Sequence, residues 1–174
     1  MWPAVRGGIC WNTWSAKPGG GEYCKVYFHC IEQDSRAIQY ASHLCHAYLD
    51  QVSFVQRNAL RFRPQRTYDL VWSAGLFDYF EDALFVTTLS RLLKATAADG
   101  ELVVGNFSTQ NPSRAFMEIF DWHLHHRSPQ TLRYLARRAG AQNNQITIGR
   151  EPCGVNLFLH IRPDAGQPQV EVRG

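Results

Sequence analysis

Apolar positions along this chain switch between two spacings, and the switches mark out its elements. Lys25 to Ile31 (KVYFHCI) is a short, β-prone apolar run and predicts a buried strand. Asp34-Ser35 offers an N-cap, and Ile38, Ala41, Leu44, Cys45, Tyr48 and Leu49 follow at helical spacing, so a helix is expected to about Asp50. Val52 to Val55 reads as a second strand and Tyr68 to Ser73 (YDLVWS) as a third, closed by Ala74-Gly75. From Asp82 a helix carries Leu84, Phe85, Thr88, Leu89, Leu92 and Leu93, with Asp99-Gly100 as its stop. Glu101 to Phe107 is the fourth strand. Asn111-Pro112-Ser113 then predicts a helix start, with Phe116, Ile119, Phe120 and Leu124 as its apolar side. Pro129 opens another helix, ended by Gly140, and two strands close the chain, Gln145 to Ile148 and Val155 to Ile161.

Strands alternating with helices imply crossover units and a mainly parallel sheet. The short loop between the last two strands suits an antiparallel hairpin instead. The expected fold is therefore an open α/β sheet of Rossmann-like type, mostly parallel, with an antiparallel C-terminal strand and flanking helices. Residues 1–24, rich in Gly and Trp, show neither spacing and read as an irregular segment. Residues 25–162 read as the domain, and 163–174 as a polar tail.

Composition narrows the class. Of 174 residues, 45% are hydrophobic and 13% aromatic, which argues against disorder. No uninterrupted apolar stretch reaches membrane-spanning length, and MWPAVRGG is no secretory leader. The five cysteines are odd in number and form no CxxC pair, which points to free thiols in a reducing, cytoplasmic setting and away from a structural zinc site. The net charge is +3, and Arg57, Arg61, Arg63 and Arg66 form the densest basic cluster. It reads as a solvated rim, since no nucleic-acid-binding motif accompanies it.

Ligands of open α/β sheets sit at the C-terminal ends of the strands. Glu32 follows the first predicted strand, where an acidic side chain can accept both hydroxyls of a ribose; Asp34 is read as a helix cap. Asn58-Ala59 follows the second, an amide beside a small residue that can frame a purine edge. Ser73-Ala74-Gly75 ends the third, small enough for a flat ligand to approach the backbone, with Phe77, Tyr79 and Phe80 able to cover it. Asn106 ends the fourth.

The segments VYFHCIEQDSRAIQYA, VSFVQRNALRF, YDLVWSAGLFDYF and DGELVVGNFS together resemble the body of a class I S-adenosylmethionine-dependent methyltransferase. GNFSTQNPSRAFMEIFDWHLHHRS with the closing EPCGVNLFLH resembles, more narrowly, the group associated with 3-hydroxypalmitate methyl ester (extracellular factor) biosynthesis. The resemblance covers residues 25–162. It implies that Glu32 holds the cofactor's ribose, that Asn58 and Ala59 lie beside its adenine, and that Ser73, Ala74 and Gly75 line its methionine end. It places Tyr79, Asn106, Asp121, Trp122, His126 and Arg127 on the substrate side.

One part of the pattern departs. The family's Gly-rich loop falls about 20 residues before the acidic residue, and only Gly7-Gly8 stands there; Gly19-Gly20-Gly21 lies too close to the first predicted strand. A truncated or frameshifted reading of a longer gene would account for this beginning. The implied activity is methyl transfer to a small molecule, the carboxylate or hydroxyl of a fatty or hydroxy acid; the alternative is a non-catalytic remnant of the fold that acts as a binding module. A carboxylate acceptor would be gripped by Arg127, and another acceptor would take His126 or His123 as base. On a helix His123 and His126 would share a face, but no zinc motif accompanies them and no metal is expected. The oligomeric state is left open.

Overall fold

The structure, a computed structural model, describes residues 9–14 and 26–163. Seven strands form one sheet in the order β3-β2-β1-β4-β5-β7-β6. They are β1 (Ile9–Trp14), β2 (Val26–Glu32), β3 (Val52–Gln56), β4 (Tyr68–Ser73), β5 (Thr96–Phe107), β6 (Ile146–Arg150) and β7 (Asn156–Ile161). Four helices connect them: α1 (Ser35–Leu44), α2 (Asp82–Lys94), α3 (Arg114–Ile119) and α4 (Pro129–Arg138). Strands β2 to β6 share one direction, while β7 runs against them, as the short closing loop predicts. The α/β sheet with its antiparallel C-terminal strand and flanking helices is the expected fold.

Strand β1 was not expected. It lies at the centre of the sheet, antiparallel to β2 on one side and to β4 on the other. Six residues bounded by glycine-rich sequence give little periodic signal; pairing along both edges is what makes a strand of them. The other glycines of that beginning, Gly7-Gly8 and Gly19-Gly20-Gly21, lie outside the described residues.

Two further differences have local causes. Helix α2 ends at Lys94 instead of Asp99, because Thr96 is already paired with Tyr68 and its Oγ1 caps the Leu92 carbonyl at 3.0 Å. Leu124 is not helical. Helix α3 stops at Ile119, beyond which Asp121 takes a positive φ of 58° and the chain turns into an irregular run that ends at Arg127. That run is held as backbone: the Arg127 N–H donates to the Phe107 carbonyl at 2.9 Å, and Thr109 N–H donates to the Arg127 carbonyl at 3.2 Å.

The core lies on one face of the sheet, where Phe85, Leu89 and Leu92 of α2 and Leu132, Leu135 and Ala136 of α4 bury against Val71, Leu102, Val104, Leu157 and Leu159. On the other face Trp72 stacks with Phe158 at 5.8 Å. Helix α1 leaves no residue fully buried. Helix α4 starts on Ser128, whose Oγ accepts the Thr131 N–H at 3.1 Å, with Pro129 in the first turn. Ser128→Ala should lower stability by about 1 kcal/mol, the value of an N-cap, seen as a smaller urea midpoint at constant slope. Among the described residues no helix is long and apolar enough to cross a membrane.

Candidate functional site

The C-terminal ends of β2, β3, β4 and β5 form one edge, and the residues singled out from the sequence fall along it in two groups. The first gathers on β2 and β3. Glu32 closes β2, and its Oε1 accepts the N–H groups of Gln33 (2.7 Å) and Asp34 (2.9 Å), which fixes the carboxylate over its own turn. Asp34 caps α1 by accepting the Arg36 N–H, as its position implies. Asn58 donates to the Gln33 side chain at 3.2 Å and accepts the Leu60 N–H at 2.8 Å, so the β3 end is tied to the β2 end. Ala59 is half-buried beside it.

Across β1 from this group stands the end of β4: Ile9 pairs with Ile31 on one side and Ser73 on the other. Ser73 is fully buried, and its Oγ has no hydrogen-bond partner among the described residues. Gly75 has a φ of +75° with open space where a Cβ would stand. This is the one point of the strand end where backbone conformation requires glycine.

The second group gathers around Arg127, and here the structure corrects the sequence reading. Arg127 is 3% exposed. All five of its guanidinium N–H groups are engaged. Nε donates to Asp82 (3.2 Å), Nη1 to the Phe77 carbonyl (3.2 Å) and Asn106 Oδ1 (2.9 Å), and Nη2 to the Phe80 carbonyl and to Asp82 (2.9 Å). The Phe85 ring lies under it at 4.7 Å. A guanidinium so occupied has no fork left for a substrate carboxylate. Asn106, fully buried, is likewise spent: its amide donates to the carbonyls of Phe107 and His125 while Oδ1 takes Arg127.

His126 and Asp121 do not fit their expected roles either. Asn111 donates to His126 Nε2 at 3.2 Å and His126 Nδ1 donates to the Leu124 carbonyl at 3.1 Å, so both ring nitrogens are taken and the lone pair a base would need is covered. Asp121 makes the turn after α3, and its exposed carboxylate meets His123 at 3.1 Å. Because residues 122–126 are not helical, His123 and His126 have no common helical face. Tyr79 and Trp122 remain open. Both are exposed, and Trp122 Nε1 donates to Tyr79 Oη at 3.1 Å.

Asp78 escaped the sequence reading. Its carboxylate accepts the Phe107 N–H at 2.6 Å and its carbonyl accepts His125 N–H at 2.8 Å. Burial pushes its pKa up to about 6, against the opposing pull of that N–H and of Arg127. An acidic residue inside the aromatic run Leu76-Phe77-Asp78-Tyr79-Phe80 is the signal that could have found it, since flanking rings carry it inward. A cavity of about 350 Å³ opens at the opposite end of β2 and β3, among Tyr27, His29, Asp50 and Arg66, and touches none of these groups.

No protein-family model and no curated protein matches the chain. Solved structures do. A "possible exported protein" from Bordetella parapertussis matches with a TM-score of 0.65 and 20% identity, over 77% of this chain and 52% of that one. The S-adenosylmethionine-dependent methyltransferase SibL, in its apo form, matches with a TM-score of 0.62 and 14% identity, over 78% and 43%. A complex of DhpI with SAM and HEP matches with a TM-score of 0.59 and 20% identity, over 76% and 66%. The chain thus spans about half the length of the first two, and the likeness is one of fold: a Rossmann-like sheet of the kind methyltransferases use.

Proposed function

We propose that this chain binds S-adenosylmethionine along the C-terminal edge of its sheet and transfers the methyl group to a small-molecule acceptor. The observation that supports this reading is the alignment of Glu32, Asn58 and Ser73–Gly75 on one edge of a methyltransferase-type sheet. The residues fit the group. Glu32 keeps one carboxylate oxygen for ribose hydroxyls, Asn58 and Ala59 border the place of a purine, and the partnerless Ser73 hydroxyl and the open space over Gly75 suit the methionine end. The sulfonium, when bound, supplies an electrophilic methyl carbon and needs no activation by the protein. What the chain contributes is placement and exclusion of water.

On the acceptor side Tyr79 and Trp122 take over from Arg127, Asn106 and His126. With its lone pair accepting the indole N–H, the Tyr79 hydroxyl is set to donate to an oxygen of the acceptor. Trp122 offers apolar surface beside it, and Phe116 and Phe120, packed on each other at 4.9 Å at α3, are also exposed. A fatty or hydroxy acid of the extracellular-factor type, presenting an oxygen head and an apolar chain, suits that combination.

The reading is tested by titration calorimetry with S-adenosylhomocysteine. Binding is expected, and Glu32→Ala should weaken it by about 1–3 kcal/mol, the scale of a lost charged hydrogen bond. An unchanged affinity in the variant would remove Glu32 from the ribose. No binding by the parent at millimolar ligand would leave a fold that has lost its cofactor.

A further inference from the structure

Two stretches distant in sequence, residues 77–82 and the end of β5, meet at one guanidinium. The turn of residues 77–80 offers two carbonyls, the end of β5 offers Asn106, and the start of α2 offers Asp82; Arg127 donates to all of them. The same turn is gripped a second time through Asp78, whose carboxylate takes Phe107 N–H and whose carbonyl takes His125 N–H. Tyr79 stands on this turn with its backbone held and its ring outside, and its hydroxyl meets Trp122, which follows the turn made by Asp121. Arg127 itself ends the irregular run that begins at Trp122.

We infer that Arg127 is a positioning residue: it fixes the turn of residues 77–80 so that Tyr79 and Trp122 stand as one rigid pair on the acceptor side. The inference rests on reading this edge as a methyl-transfer site, but the contact it concerns can be observed without ligand. The planar fork is essential to the argument. A lysine would keep the charge yet carries three donors on one nitrogen, too few and too narrowly spaced for the four acceptor groups of Phe77, Phe80, Asp82 and Asn106.

The test is the indole N–H resonance of Trp122 in a nitrogen–proton correlation spectrum, assigned by its loss in Trp122→Phe. Tyr79→Phe removes the acceptor and marks the position of the unbonded indole. Arg127→Lys is expected to move the Trp122 resonance to that same position, with the Trp72 indole, stacked on Phe158 across the sheet, unmoved. Should Arg127→Lys fail to fold, Asp82→Ala removes the acceptor of two of the five guanidinium bonds at its half-exposed end and should move the resonance part of the way. A Trp122 resonance that stays in place in either folded variant overturns the inference, as does a change that displaces Trp72 equally. Affinity for S-adenosylhomocysteine is measured alongside. A Trp122 indole displaced in the variants of a parent that binds S-adenosylhomocysteine supports both readings, whereas the same displacement with a parent that binds none supports the positioning role and overturns only the methyl-transfer reading.

Discussion

Arg127→Met should lower the stability of this protein by about 3–5 kcal/mol, the usual cost of removing one partner from a buried charge network. Most of the loss comes from the groups left behind. The Phe77 and Phe80 carbonyls and the Asn106 amide oxygen would stay buried without a donor, each at about 1–3 kcal/mol before relaxation. Asp82, half in water, contributes little once its partner is gone. Methionine fills much of the space of the arginine stem over Phe85, so the comparison isolates hydrogen bonding from cavity formation. Urea denaturation is the measurement. A midpoint within error of the parent's would show that the five bonds are dispensable.

Asp78 should make the protein less stable as pH rises from about 4 to about 6, opposite to the ordinary behaviour of a carboxylate. Burial raises its pKa from 3.8 to about 6 in the folded chain. The folded state therefore holds the proton more tightly than the unfolded one, and in that window it binds more protons. Its stabilising contribution is complete below pH 4 and is lost as pH passes through the folded value; by neutral pH the loss amounts to about 3 kcal/mol. Asp78→Asn keeps an oxygen for the Phe107 N–H and has no charge to bury. The variant should gain on the parent between about pH 4 and about pH 7.5, by up to about 3 kcal/mol. Paired denaturation curves at the two pH values check this, and a difference that does not change with pH would refute it.

The sequence disclosed the regular body of the fold well and the chemistry of its site unevenly. Tyr68–Ser73 was legible to the residue because a short apolar run between turn signals can be little else. The closing hairpin was legible from loop length alone. The end of α2 was not: residues 96–98 (TAA) give no local signal against helix strong enough to stop it, and pairing with β4 makes them strand. The histidine run likewise leaves the helix through distant bonds, His125 N–H to the Asp78 carbonyl and Arg127 N–H to the Phe107 carbonyl. Glu32, Asn58 and Gly75 stand where the strand-end argument puts them, because that argument uses backbone geometry. Arg127 and Asn106 were misjudged because a polar residue is assumed to face water or a ligand. Whether its donors are already spent depends on carbonyls 21 to 50 residues away.

Strand β1 gives the sheet a seam. Everything to one side of it, β2 and β3 with Glu32 and Asn58, comes from residues 26–58; everything to the other, from Ser73 to Trp122 and on to β7, comes from residue 68 onward. Each side is a locally connected crossover unit, and β1 supplies the strand pairing between them, beside the His29–Tyr68 hydrogen bond and the bond from Arg91 to the Leu60 carbonyl. A ligand reaching from Glu32 to Gly75 would act as a clasp over that seam, adding its binding energy to the cohesion of the two parts. Ligand occupancy and the mechanical integrity of the sheet would then be one property, and hydrogen exchange along β1 would report both.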